Sequence, residues 1–351
     1  MSHLARMFEL KRDKLNVRRG VIVEVVLVVL AAAAIALGQQ KYLLPVVLGV
    51  LFVALVDPGG EYGYRLRAMT VFALTGALLT ALGFGIGGGP WGYAVLAAFI
   101  VTLLGGLAVK FGLHRFVAGM LLNFWFILAL AQPSLYNLDR VQANTWQHTL
   151  AWLVGCALWI AVSGVVWLAH GRGPRPAPAE AVPGDTAPHE LTPPLILFAL
   201  IRALAVSIAV AISFGLNLPN ASWMPLAALV TMKPSWDQSV LAAEQRLAGA
   251  ILGAALSGLV LLTIDNRIVT VVIVVVLGAV SVSISGVNYA LSTAATAAAI
   301  LIAMDLPHPS DFADERMRVV YTFVGVGIAI AITFLADLIQ KHTQLRAPQT
   351  T

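Results

Sequence analysis

Charge is what this sequence has least of. Only 11% of its 351 residues are Asp, Glu, Lys or Arg, less than half the share of about 25% found in ordinary soluble domains. That shortage excludes a soluble globular protein. It also disposes of nucleic acid as a partner, in spite of a net charge of +5, because no separate basic, aromatic-rich domain is there to hold one. Cysteine is nearly missing too. The single Cys156 excludes an intramolecular disulfide and a cysteine metal site, and its mid-helix place reads as small-residue packing. Catalytic signatures are lacking: there is no Walker loop, no HExxH and no GxSxG. No residue is assigned a catalytic role, no metal or cofactor is expected, and the chain is not read as an enzyme. Without an ATP-binding domain, primary pumping by this chain alone is not expected either.

What the sequence has instead is apolar length. Hydrophobic residues make up 59%, and the mean hydropathy is +0.87. Such a chain lies mostly inside a bilayer, where only helices or closed barrels satisfy the backbone. The apolar runs are long, rich in Ala, Leu and Val, and show no two-residue alternation, so helices are favoured over barrel strands. The expected fold is an all-α polytopic membrane protein with about 12 transmembrane helices, arranged as two parallel six-helix repeats.

The expected order is a basic leader at 1–19, a first six-helix repeat at 20–170, a linker at 171–194, a second repeat at 195–340 and a short tail at 341–351. The linker stretch from Arg172 to Pro194 is rich in Pro and Ala and has no apolar period, which reads as an exposed extended segment. Polar and basic residues precede the first apolar run, so the N-terminus does not read as a signal peptide. With the N-terminus inside, most of the 22 Lys and Arg fall on inner loops and tails, Arg202 counted among them, leaving Lys41, Arg140, Arg267, Arg316 and Arg318 outside. This bias predicts both termini in the cytoplasm of a multi-pass plasma (inner) membrane protein. An even number of spans per half makes the repeats parallel, about an axis along the membrane normal.

The chain is organised around Ser222–Gly253, a short apolar run with an early Pro225, a Lys233-Pro234 stop, a polar hairpin and then Arg246 opening a glycine-striped helix. A weaker copy runs from Tyr42 to Gly76, with Pro45, Asp57-Pro58, a hairpin holding Arg65, and Arg67 in the matching place. Short, Pro-interrupted segments at corresponding places in two halves point to a transport site. Arg246 precedes Gly249, Gly253 and Ser257 on one helix face, a small-residue stripe that admits a second helix and aims Arg246 into the bundle. Arginine binds carboxylates through two parallel hydrogen bonds and stays charged. The candidate substrate-binding residues are therefore Arg246, Arg67, Arg65, Trp223, Pro225, Pro234 and Lys233, with Asn288 and Tyr289 opening a later span beside Thr293 and Thr296. Glu24, five residues into the first span, is the candidate for proton coupling or for pairing with Arg18 or Arg65.

These residues also carry a resemblance. Trp223, Pro225, Thr231, Pro234, Ser235, Arg246, Gly249 and Gly253, followed by Asn288-Tyr289 and by Arg318 and Gly325, resemble the motif of the fusaric acid resistance protein-like family, the integral membrane bound transporter domain that includes bacterial aromatic acid exporters. The resemblance covers about Leu195–Ile339. In the first half Leu44 stands where Trp is expected, and no Asn-Tyr follows. The resemblance implies export of small, aromatic organic anions coupled to protons. The related plant malate channels imply the alternative of a passive anion path, and a non-transporting membrane scaffold for envelope assembly is the alternative of another class. The expected partners are a small organic anion and the lipid bilayer. Whether the chain acts as one pseudo-two-fold unit or as a homo-oligomer stays open at this point.

Overall fold

The computed structural model describes residues 9–10, 12–58, 61–135, 144–169, 190–218, 222–233, 236–264, 266–305 and 313–346. All regular structure among them is helical. Six α-helices form the first half: α1 (Val17–Ala36), α2 (Leu43–Val56), α3 (Tyr62–Ile86), α4 (Trp91–Leu107), α5 (Leu113–Leu135) and α6 (Thr145–Ala169). Six more form the second: α7 (Pro193–Gly215), α8 (Trp223–Thr231), α9 (Trp236–Thr263), α10 (Arg267–Ser283), α11 (Tyr289–Asp305) and α12 (Ala313–Arg346). Each expected span falls on one of these helices.

Their lengths differ in a way that matters. Eight are long and apolar enough to cross a bilayer: α1, α3 to α7, α9 and α12. Helices α2, α10 and α11 have 14, 17 and 17 residues, and α8 has nine. At about 1.5 Å per residue α8 reaches roughly 14 Å, about half of a ~30 Å hydrocarbon core.

Several helices begin earlier than hydropathy suggests. Helix α3 starts at Tyr62 and α9 at Trp236, so Arg65 and Arg67 lie within a helix and not in a hairpin, and Arg246 lies well inside its helix instead of opening it. Residues 236–246 are polar yet rich in Ala, Glu, Gln and Arg. These are strong helix formers, and a hydropathy window sees only the apolar part of such a helix. Likewise α12 continues to Arg346, into the expected tail. The expected linker falls largely on 170–189, outside the described residues.

Several packing pairs recur in the two halves. In the first, α3 packs on α5 and α6, α2 on α6, and α4 on α5. In the second, α9 packs on α11 and α12, α8 on α12, and α10 on α11. Between halves, α4 packs on α7, and its counterpart α10 packs on α1. Glycines set the closest approaches. A Cβ on Gly155 of α6 would strike the Val46 carbonyl of α2, and one on Gly325 of α12 would strike the Met224 carbonyl of α8. On α9, a Cβ on Gly249 would lie 2.7 Å from the Thr293 side chain of α11, and Gly253 meets Ala297 in the same way.

Helices α1 and α7 also end alike. Gly38 follows α1 at φ +65, and Asn217 follows α7 at φ +49. The next amide closes back on the helix in both cases, Gln39 N–H to Ala34 C=O at 2.7 Å and Leu218 N–H to Ser213 C=O at 3.0 Å. Every corresponding residue in these two caps is offset by 179. Only Gly or Asn takes such a left-handed conformation readily.

One apolar core fills the first half, around Trp125 and Trp152, which stack with centroids 5.2 Å apart. Their indole N–H groups donate to Thr80 Oγ1 and to the Ala73 carbonyl. A second core straddles the halves and joins Phe126 and Leu130 of α5 to Val206 of α7 and Leu229 of α8. Cys156 is buried, its Sγ 3.7 Å from the Gly49 carbonyl.

The glycine contacts predict a graded response. Overfilling a tight helix crossing forces backbone shifts. Gly155→Val and Gly325→Val are expected to lower the thermal midpoint of the detergent-solubilised protein by several degrees. Gly85→Ala and Gly92→Ala, whose added methyl groups meet open space, are expected to leave it unchanged in the same melting measurement.

Candidate functional site

The nine residues of α8 begin at Trp223 because Pro225 sits in the first turn, where a missing N–H is harmless. The helix ends at Thr231, just before Lys233 and Pro234. A helix leaves its last four carbonyls without intrahelical donors, and α8 ends inside the protein, with Leu226, Ala227, Ala228 and Leu229 all fully buried. The Met232 amide closes on the Ala228 carbonyl at 3.3 Å. The Leu229 carbonyl accepts from Nη2 of Arg202 at 3.2 Å.

Arg202 lies in the middle of α7 and has no exposed surface. Its guanidinium carbon stands 4.8 Å from the ring centre of Phe116 on α5, a cation–π distance. Nε and Nη1 are buried without a hydrogen-bond partner, and no carboxylate pairs with it among the described residues. The negative end of the α8 dipole and the Phe116 face supply part of its stabilisation. A buried cation without a counter-ion is otherwise several kcal/mol unfavourable.

Two more polar groups gather at this end of α8. Thr231 is fully buried, and its Oγ1 has no partner. Lys233, half-buried in the connection that follows, places Nζ 3.8 Å from Met120 Sδ on α5. Two cations and a hydroxyl thus meet at the open end of a short helix, between apolar residues of both halves. Such a set favours an oxyanion, which can take the unmatched guanidinium N–H groups.

The other expected site residues are dispersed. Arg246 is nearly buried on α9, and its Nε is unpartnered. Arg67 is exposed on α3. No contact joins these two or brings either to Arg202 among the described residues. Arg65 is bound by Asp57, with Nε 2.8 Å from Oδ1 and Nη2 2.5 Å from Oδ2; it does not pair with Glu24. The Glu24 carboxylate lies instead over Gly278 of α10, where a Cβ would come within 2.6 Å of Oε2. Asn288 caps α11, accepting from the Leu291 amide at 2.9 Å and donating to the Glu9 carbonyl at 3.1 Å. The Tyr289 hydroxyl is buried and unpartnered. Trp223 packs at the edge of the second core, and Pro225 is buried. Pro234 lies outside the described residues. No group of three His, Cys, Asp or Glu is placed to hold a metal ion among them.

Residues 195–332 match the model of the fusaric acid resistance protein-like family. The match bears out the resemblance read from the sequence and covers α7 through most of α12, hence Arg202, Thr231, Lys233 and Arg246. No curated protein and no solved structure matches the chain.

Sequence reasoning counted Arg202 with the inner loops, and the structure corrects this: it is a mid-helix residue with no exposed surface. The signal was present. An arginine seven residues inside the apolar run from Leu195 cannot be solvated by lipid and must find protein.

If Arg202 is kept for an anion and not for folding, removing its charge need not harm the fold. Buried ionic groups replaced by apolar ones of similar size are often neutral or stabilising. Arg202→Met is therefore expected to hold or raise the thermal midpoint. A drop of many degrees would assign Arg202 to capping α8 alone.

Proposed function

We propose that this chain is a secondary transporter that exports small organic anions, aromatic carboxylates among them, across the plasma membrane. The observation that carries the proposal is Arg202: a fully buried guanidinium with unmatched N–H groups, set against the open end of a helix too short to cross. Its place within the family-matched residues supports the same reading. A transported anion completes the coordination of Arg202, with Lys233 and Thr231 beside it. Burial of the site between both halves then makes alternating exposure the means of access.

The halves act as two parallel six-helix repeats with both termini cytoplasmic. Support comes from the matched packing pairs, from the cross-contacts of α4 with α7 and α10 with α1, and from two left-handed caps separated by the same 179 residues as Arg67 and Arg246. In that register Arg202 corresponds to Val23, which is equally buried. The second half thus holds a cation where the first is apolar. Glu24, at the α1–α10 crossing, is the carboxylate proposed to couple proton movement, because it is half-buried at a contact between halves.

The test is flux of labelled benzoate in proteoliposomes. Wild type is expected to move it down an imposed proton gradient. Losing a charge-assisted hydrogen bond to the anion lowers flux about tenfold or more in Arg202→Gln, while Arg67→Gln stays near wild type. Flux that follows voltage and ignores the proton gradient would favour the anion channel. Equal flux in wild type and Arg202→Gln would remove Arg202 from the site. No movement of any anion in a broad panel would leave the scaffold reading in the lead.

A further inference from the structure

A cationic cavity lies in the first half, at the end of the bundle where α1 and α3 begin, and shares no residue with the α8 site. It has a volume of about 260 Å³. Arg18, Arg19, Arg65 and Asp57 line it together with the apolar Ile22 and the indole of Trp159. The Asp57 carboxylate is committed to Arg65 through two hydrogen bonds. Arg19 has no such partner: its side chain is half-buried, and Nη2 is both buried and without a hydrogen bond. Trp159 is 6% exposed, and its indole N–H, also a donor only, is buried and unpartnered.

Two residues that line this cavity thus each carry a buried donor without a hydrogen-bond partner, one a guanidinium and one an indole. A buried donor left unpaired is unfavourable, more so where it is charged, so the cavity suits an acceptor. Water would satisfy the donors and leave the cavity's excess of positive charge, three arginines against the single Asp57, unmatched. An anion satisfies both. The Ile22 side chain and the Trp159 ring form an apolar flank that suits a body attached to that anion.

We infer that this cavity binds an oxyanionic group, carboxylate or phosphate, carried on an apolar body and held between Arg19 and the Trp159 indole N–H. This goes beyond the transport site at α8 and does not depend on it. Two sources offer the same chemistry: a dissolved organic anion, or the headgroup of an anionic phospholipid at the bundle edge.

The experiment uses the full chain in detergent, labelled with 5-fluorotryptophan. Trp159→Phe assigns the Trp159 signal as the one that vanishes among the eight tryptophans. Wild type is titrated with sodium phosphate, sodium benzoate and dihexanoylphosphatidylglycerol. A saturable shift of the Trp159 fluorine resonance is expected with at least one probe. The apparent affinity should fall about tenfold or more in Arg19→Gln and stay unchanged in Arg67→Gln, which removes the same net charge from an exposed site. Arg19→Lys keeps the charge without the planar fork and is expected to fall between. The other seven tryptophan signals report whether each variant keeps its fold. Response to the phospholipid alone makes the ligand a headgroup, and response to benzoate or phosphate makes it a dissolved anion; either supports the site. No shift with any probe, or an equal shift in folded Arg19→Gln, overturns it. The readout involves no transport, so its failure is distinct from failure of the function proposed above.

Discussion

A cation held away from both water and a counter-ion stands where the two halves meet, and the packing there has to accommodate it. The Arg202 guanidinium reaches from α7 to the Leu229 carbonyl of α8 and lies over Phe116 of α5. Three helices from two halves are therefore fitted around one charge. That contact also explains how α8 stops after nine residues. An interrupted helix inside a bilayer exposes carbonyls that lipid cannot satisfy. A guanidinium from a neighbouring helix takes one of them, and the local dipole favours a positive charge at that end.

The same contact separates backbone from chemistry. The helices of the two halves pack in matching pairs, and α1 and α7 close with the same left-handed cap at an offset of 179 residues. The side chains do not follow. Arg202 stands opposite Val23, α8 has nine residues against 14 in α2, and Arg65 is tied to Asp57 while Arg246 has an unmatched Nε. Packing symmetry needs only small residues at crossings, such as Gly155 against α2 and Gly325 against α8. A pair of equivalent binding sites would need matched polar groups as well, and these are missing. Among the unmatched donors of the described residues, Arg19 and Trp159 line one cavity of the first half, whereas Arg202 and Thr231 of the second have no exposed surface.

The helices were legible because lipid leaves the backbone little choice, so apolar runs became helices one for one. Their ends were less so. Residues 62–67 and 236–245 precede the apolar part of their helices, and hydropathy placed them in hairpins; in the second stretch Ala, Glu and Gln carry the helix beyond its apolar part. The site was half legible. The Pro225 and Lys233-Pro234 signals located α8 and its break correctly. Arg246 and Arg67 were singled out for their matching places, but one is nearly buried and the other exposed. Arg202 was passed over because a count of basic residues by loop assigned it to an edge.

The sequence by itself determined the solvent of this protein, the number and order of its helices, the break at α8 and the small-residue stripe of α9. Each of these follows from composition or local pattern, which lipid and the backbone read residue by residue. Only the tertiary structure decided which charges are matched. Asp57 neutralises Arg65 eight residues away, whereas Arg202 meets a carbonyl 27 residues on and an aromatic ring from the other half. The partner of a buried charge is set by which helices cross at its depth, and that crossing is a property of the whole bundle.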